Sequence, residues 1–213
     1  MNLKNIKIKV CGMRDPANIK ALAALDIDLM GFIFYKDSPR YASGLDPAIM
    51  KEIPPAIGKV GVFVNENPCL VAAIAKKYAL EYVQLHGDET PEYCRRIREE
   101  VPGIKIIKAF GVKNPPDNTL LQEYAGAADF FLFDTFTPRH GGSGRSFDKT
   151  MLAGYNLDIP FFLSGGIDET ILKELAELDL PSLYALDINS RFETAPGIKD
   201  IPRIRNFINK IKS

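Results

Sequence analysis

Tryptophan is absent from the 213 residues, histidine occurs twice and cysteine three times. The two histidines, His86 and His140, and the cysteines, Cys11, Cys69 and Cys94, form no pair with zinc-ligand spacing, so no metal site is expected. An odd, scattered set of cysteines excludes a disulfide scaffold and fits reduced thiols in a cytoplasmic protein. Excess charge of one sign is also missing. Twenty-seven basic residues face twenty-seven acidic ones, which removes any chain-wide electrostatic reason for nucleic acid or an anionic membrane. No apolar run approaches the roughly 18 residues of a membrane span. No Walker A pattern occurs, and no G-x-G-x-x-G follows the first strand, which speaks against a nucleotide cofactor. The N-terminal segment has no secretory apolar region and reads as the first strand of a protein that is not exported. Without a low-complexity linker or a composition shift, residues 1–213 read as one domain, with no obligate protein partner evident.

What is present is regular punctuation. Short apolar runs end in Gly, Asn, Asp or Ser, and longer amphipathic stretches follow them. Strands are predicted at 6–11, 29–34, 59–64, 82–85, 104–110, 130–134, 160–164 and 182–186. Several are near-continuous apolar runs, as strands covered on both faces should be. Helices are predicted at 16–25, 68–78, 91–100, 168–177 and 201–211, with shorter ones near 46–52, 116–124 and 148–152. Asp15-Pro16, Asn67-Pro68 and Thr90-Pro91 each pair a capping side chain with proline at the first helical position. Eight strand–helix units of about 27 residues each imply right-handed parallel crossovers and an α/β fold, a compact (β/α)₈ TIM barrel. A flavodoxin-like sheet needs five strands and would leave much of the chain unused.

In such a barrel the reactive groups lie at the C-terminal strand ends. Cys11 ends the first strand and reads either as a small buried hydrophobe or as a reactive thiol at the barrel mouth. Alternation places Lys7, Lys9 and Cys11 on one face; if that face is inward, Lys9 must find a carboxylate within the barrel. Asp134 follows Phe130-Phe131-Leu132-Phe133 and reads either as a loop cap or as a partly desolvated acid. Three segments suit an anion: Gly141 to Arg145, including Gly142, Ser143 and Gly144; Gly165-Gly166 after the seventh strand; and Asn189-Ser190 after the eighth. Loops after strands seven and eight often hold phosphate in this architecture. Arg40 could hold a carboxylate with its two-pronged fork or be a solvated surface arginine. His86 could bond a ligand or be structural, and His140 reads as exposed.

Taken in order, Val10-Cys11-Gly12, Gly31 to Tyr35, Ser38-Pro39-Arg40-Tyr41, Gly61 to Asn65 and Val83-Gln84-Leu85-His86-Gly87 resemble the phosphoribosylanthranilate isomerase family. So do Phe133-Asp134-Thr135, Gly141 to Gly144, Leu163 to Gly166 and Pro196 to Asp200, and the resemblance spans nearly the whole chain. It implies the tryptophan-pathway conversion of N-(5′-phosphoribosyl)anthranilate to 1-(o-carboxyphenylamino)-1-deoxyribulose 5-phosphate, with a small-molecule sugar-phosphate substrate and no cofactor. It further implies Asp134 as general acid and Cys11 as general base. Arg40 would bind the anthranilate carboxylate, His86 would line the pocket, and Asp187 would contact sugar hydroxyls. Gly142, Ser143, Gly144, Gly165, Gly166, Asn189 and Ser190 would hold the phosphate.

Those roles need opposite shifts: a thiol of about 8.5 must lose its proton while a carboxyl of about 3.9 keeps one. Apolar neighbours such as Phe133 are expected to help keep Asp134 neutral. One departure from the family pattern is Arg191, where glycine is common; a non-glycine residue there resists positive φ, and a cation would be added near the phosphate. Competing readings are a histidine-pathway isomerase, which typically uses two aspartates, a Schiff-base aldolase with Lys108 as nucleophile, and a non-catalytic phosphate-binding barrel. The last needs neither Cys11 nor Asp134.

Overall fold

The computed structural model describes residues 3–42, 44–111, 117–134, 152 and 154–212. Eight parallel strands close into a barrel in sequential order: β1 Lys7–Val10, β2 Leu29–Ile33, β3 Gly58–Phe63, β4 Tyr82–Leu85, β5 Lys105–Gly111, β6 Phe130–Asp134, β7 Phe161–Ser164 and β8 Leu183–Ile188. Closure comes from β1 pairing with β8, where Lys9 stands opposite Asp187. The helices are α1 Pro16–Ala23, α2 Pro68–Lys77, α3 Pro91–Glu100, α4 Asn118–Glu123, α5 Ile171–Glu177 and α6 Ile201–Lys212. Among the described residues no helix is long and apolar enough to cross a membrane.

The caps read from the sequence form. Asp15 Oδ1 accepts from Asn18 N at 2.8 Å, Asn67 Oδ1 from Cys69 N at 2.9 Å, and Thr90 Oγ1 from Tyr93 N at 3.2 Å. Each occupies a donor that the first helical turn would otherwise leave empty. Several boundaries differ from expectation. The 46–52 segment is a 3-10 helix, Pro47–Glu52, rather than an α-helix. The late helix begins at Ile171 and not at 168, because Asp168 is engaged in a local turn with Thr170. β8 runs to Ile188, so Asp187 lies inside the strand and not after it. A hairpin that the sequence did not announce follows: β9 Glu193–Ala195 and β10 Ile198–Lys199, turning at Gly197 with φ of 81°. The helix expected at 148–152 lies outside the described residues, apart from Leu152.

Two apolar cores hold the architecture. The larger lies between the barrel and its helices, and the smaller fills the barrel with residues such as Leu29, Val60, Ile107, Leu132 and Phe162. Alternation sends Phe130 and Leu132 inward, while Phe131 and Phe133 face the helical shell. Phe133 packs against Tyr155 and Phe161 on that outer side. It is therefore not the wall expected to keep Asp134 dry: it lies on the opposite face of the strand.

Candidate active site

Toward the C-terminal strand ends the barrel interior turns polar. Lys9 is fully buried, and its Nζ donates to Asp187 Oδ2 and to Gln84 Oε1, each at 2.7 Å. The carboxylate demanded by an inward Lys9 is thus Asp187, delivered by barrel closure. Lys7, two residues earlier, sits at the opposite end and pairs with Asp28 at 2.7 Å. The Lys9 charge also acts on the nearby Cys11 thiol. Burial works against the Lys9 charge, but Asp187 and Cys11 outweigh it and hold the ammonium above its ordinary range.

Cys11 directly follows β1, and its sulfur is buried in the barrel mouth. Burial pushes this thiol above its ordinary value; Lys9 and Lys199 pull it down, and Asp187 pushes it up again. Gly31 on the neighbouring strand makes the space: a Cβ there would lie 2.8 Å from the Cys11 sulfur. Gly12 turns the chain away with φ of 83° and packs against Arg40 and Asn189.

Across the mouth, the Gln84 Nε2 donates to His86 Nδ1 at 3.0 Å, and His86 Nε2 lies 3.5 Å from Asp134 Oδ2. The side chains of His86 and Asp134 are 34% and 23% exposed, open to a ligand in the mouth. Among the described residues, Asp187 Oδ1 is buried without a hydrogen-bond partner, an acceptor left over after Lys9 takes the other oxygen. A ligand hydroxyl would satisfy it. Thiol, carboxyl and orphan acceptor are thus gathered at one end of the barrel, where a proton could be taken from one atom and given to another.

Arg40 is not a freely solvated arginine. Its Nε and one terminal nitrogen grip Glu193, with contacts of 2.7 to 3.1 Å. Glu193 also accepts from Lys199 Nζ at 2.7 Å and from Gly197 N at 3.0 Å. Burial pushes the Glu193 carboxyl up, but Arg40 and Lys199 more than offset this and hold it below the usual carboxylate value. Lys199 donates as well to Asn189 Oδ1 at 2.6 Å, so the Asn189 side chain is committed to the hairpin.

Gly165 and Gly166 leave β7 with φ of 96° and 69°, a sharp turn in the left-handed region that favours glycine. Ser190 opens a 3-10 turn, Ser190–Phe192. Arg191 sits in that turn and is absent from the positive-φ residues, so the strain expected of a non-glycine residue there does not arise. Gly142, Ser143, Gly144 and His140 lie outside the described residues. Lys108, the aldolase alternative, is a buried structural cation: it pairs with Glu89 at 3.0 Å and donates to Gly87 O at 2.6 Å.

Sequence reading missed Gln84, Glu193 and Lys199. Gln84 lies two residues before His86 on the inward face of β4, and strand parity could have flagged it. Glu193 and Lys199 come near Arg40 only through tertiary folding.

Known proteins of similar sequence and fold point to one family. The family described as "N-(5'phosphoribosyl)anthranilate (PRA) isomerase" matches residues 8–210. A Parabacteroides distasonis relative named N-(5'-phosphoribosyl)anthranilate isomerase is 42% identical over 208 residues, spanning 96% of this chain and 92% of the relative. The solved phosphoribosyl anthranilate isomerase of Thermotoga maritima is 36% identical, with a TM-score of 0.81 over 97% of this chain and 98% of that one. A further solved structure of such an isomerase holds reduced 1-(o-carboxyphenylamino)-1-deoxyribulose 5-phosphate; it is 29% identical, with a TM-score of 0.72 over 97% of this chain and 98% of that one.

Proposed function

This chain belongs to the N-(5′-phosphoribosyl)anthranilate isomerase family of tryptophan biosynthesis, and from that premise we propose that Cys11 and Asp134 carry its two proton transfers. The substrate is a sugar phosphate carrying an anthranilate. A reduced analogue of the product occupies a related isomerase, which supports a ligand of the same chemical class here. Residues 1–213 act as one barrel domain, and unpaired thiols at positions 11, 69 and 94 suit the cytoplasm.

The observation that carries the reading is a buried thiol and a partly open carboxyl at the ends of β1 and β6, with Asp187 Oδ1, unpartnered among the described residues, at the same end of the barrel. Asp134 gives its proton to the furanose ring oxygen, the C1′–O bond breaks, and the anthranilate nitrogen takes up the positive charge as a protonated Schiff base. Cys11, as thiolate, removes the C2′ proton, and the electron pair moves to form a neutral enolamine. Tautomerisation to the ketone completes the exchange of an aldose oxidation level for a ketose one. Lys9 and Lys199 favour the thiolate, and substrate hydroxyls donate to Asp187. Arg40 presents its remaining N–H groups to the anthranilate carboxylate, with Glu193 fixing the plane of the fork. Gly165, Gly166 and the backbone at Asn189 and Ser190, joined by Gly142, Ser143 and Gly144, hold the phosphate.

The test is turnover of phosphoribosylanthranilate generated in situ, followed by loss of anthranilate fluorescence, in wild type and in Asp134→Asn. The amide keeps shape but has no acidic proton, so a loss on the order of 10²–10⁴-fold is expected. Normal turnover of closed-ring substrate by Asp134→Asn would remove Asp134 from the acid role.

A further inference from the structure

The Gln84 amide is 1% exposed and lies between two groups that fix its direction. On one side the Lys9 ammonium, which can only donate, stands 2.7 Å away, so the atom facing it must be the carbonyl oxygen. The NH₂ group is then the half that faces His86 Nδ1, at 3.0 Å. An NH₂ group can only donate, so Nδ1 must accept, and the neutral imidazole carries its proton on Nε2. That nitrogen lies 3.5 Å from Asp134 Oδ2. A fixed buried cation on β1 therefore selects, through one amide, the tautomer of a histidine at the end of β4.

We propose that Gln84 is a positioning residue: anchored by Lys9, it holds His86 in the Nε2–H tautomer and aims that N–H at Asp134. The inference rests on Asp134 being the acid. With the Nε2–H group 3.5 Å from Oδ2, it is a proton on Oδ1 that would serve the ring oxygen of the substrate. Once that proton has moved, the Nε2–H group bonds the new carboxylate and lowers the barrier to its formation. The opposite tautomer would set a lone pair of Nε2 against the same oxygen and resist the transfer.

The protein carries two histidines, so ¹⁵N-histidine labelling gives two imidazoles, and His86→Asn identifies the signals of His86. In wild type the shifts should report a bare Nδ1 and a protonated Nε2. Gln84→Glu keeps the partner of Lys9 but offers Nδ1 only acceptor oxygens, so a proton should appear on Nδ1. With it kcat should fall, and KM should change little. A fall on the order of 10–100-fold is expected, the scale at which partners that orient a functional histidine act. Should Gln84→Glu not fold, Gln84→Met gives Nδ1 no donor and should yield mixed tautomers with the same loss. A wild-type His86 protonated on Nδ1 would overturn the proposal. So would a Gln84→Glu enzyme whose tautomer is unchanged, or whose tautomer moves while kcat does not. Failure of the acid assignment is separable: Asp134→Asn would then turn over normally while the wild-type tautomer stayed as described.

Discussion

At Cys11, burial and neighbouring charge act in opposite directions on a single proton. Burial prevails and the thiol lies above its ordinary value, although Lys9 and Lys199 oppose it. The base is the deprotonated form and the acid the protonated one, so kcat/KM should carry one limb for each, and the limb set by the thiol should lie above the ordinary thiol range. Cys11→Ser should lose this limb together with about 10²–10⁴-fold in kcat, because a hydroxyl is nearly the same size and a far weaker base. A pH–rate profile that Cys11→Ser leaves unchanged, or near-wild-type kcat in that variant, would count against the assignment. Arg40 poses a different question, since part of its fork is already held by Glu193. Arg40→Ala should weaken a reduced product analogue by roughly one to two decades, the scale of a charged hydrogen bond, while the same analogue without its carboxylate binds almost as before. Equal weakening of both, measured by calorimetry, would move Arg40 from the carboxylate to the sugar phosphate or to the fold. Cys11, Asp134 and Arg40 were visible in the sequence as types of group at strand ends. Their partners were not, because Glu193 lies 153 residues from Arg40 along the chain.

Single elements carry further constraints. β2 leaves room for the thiol at Gly31, where a Cβ would come within 2.8 Å of the Cys11 sulfur and 3.1 Å of its Cα. Gly31→Ala should therefore destabilise the barrel by about 1–3 kcal/mol, read from the denaturant midpoint, and cut turnover by shifting the thiol. An alanine variant with unchanged stability and kcat would mean that β1 and β2 can separate without cost. The capped helices were legible from Asp15, Asn67 and Thr90, because caps are local chemistry. The β9–β10 hairpin was not, since strands of three and two residues carry no periodicity. Nor could periodicity over six residues tell the 3-10 segment Pro47–Glu52 from an α-helix. Yet that hairpin supplies both Glu193 and Lys199.

For the whole molecule, the buried Lys9–Asp187 pair joins the first strand to the last at the seam of the barrel. A buried pair is weak evidence for stability, but removing one partner leaves the other as an uncompensated buried charge. Lys9→Met alone should cost about 3–5 kcal/mol, and Lys9→Met with Asp187→Leu should recover most of that in unfolding experiments. Neither variant should recover turnover, because the double change removes the cation beside the thiol and the acceptor proposed for substrate hydroxyls. A stable, active double variant would mean that the pair only fastens the seam. Eight apolar runs, the caps that follow them and the ordered motifs determined the barrel and its family by themselves, because strand burial, capping and turn chemistry are written within a few residues. Tertiary structure alone decided which charge meets which. Lys9 reaches Asp187 across 178 residues and Gln84 across 75, so its partners are chosen by barrel closure and strand register. The same register decided that Phe133 faces the helices and leaves Asp134 to His86, for a strand's alternation says which residues share a face but not which face the core will claim.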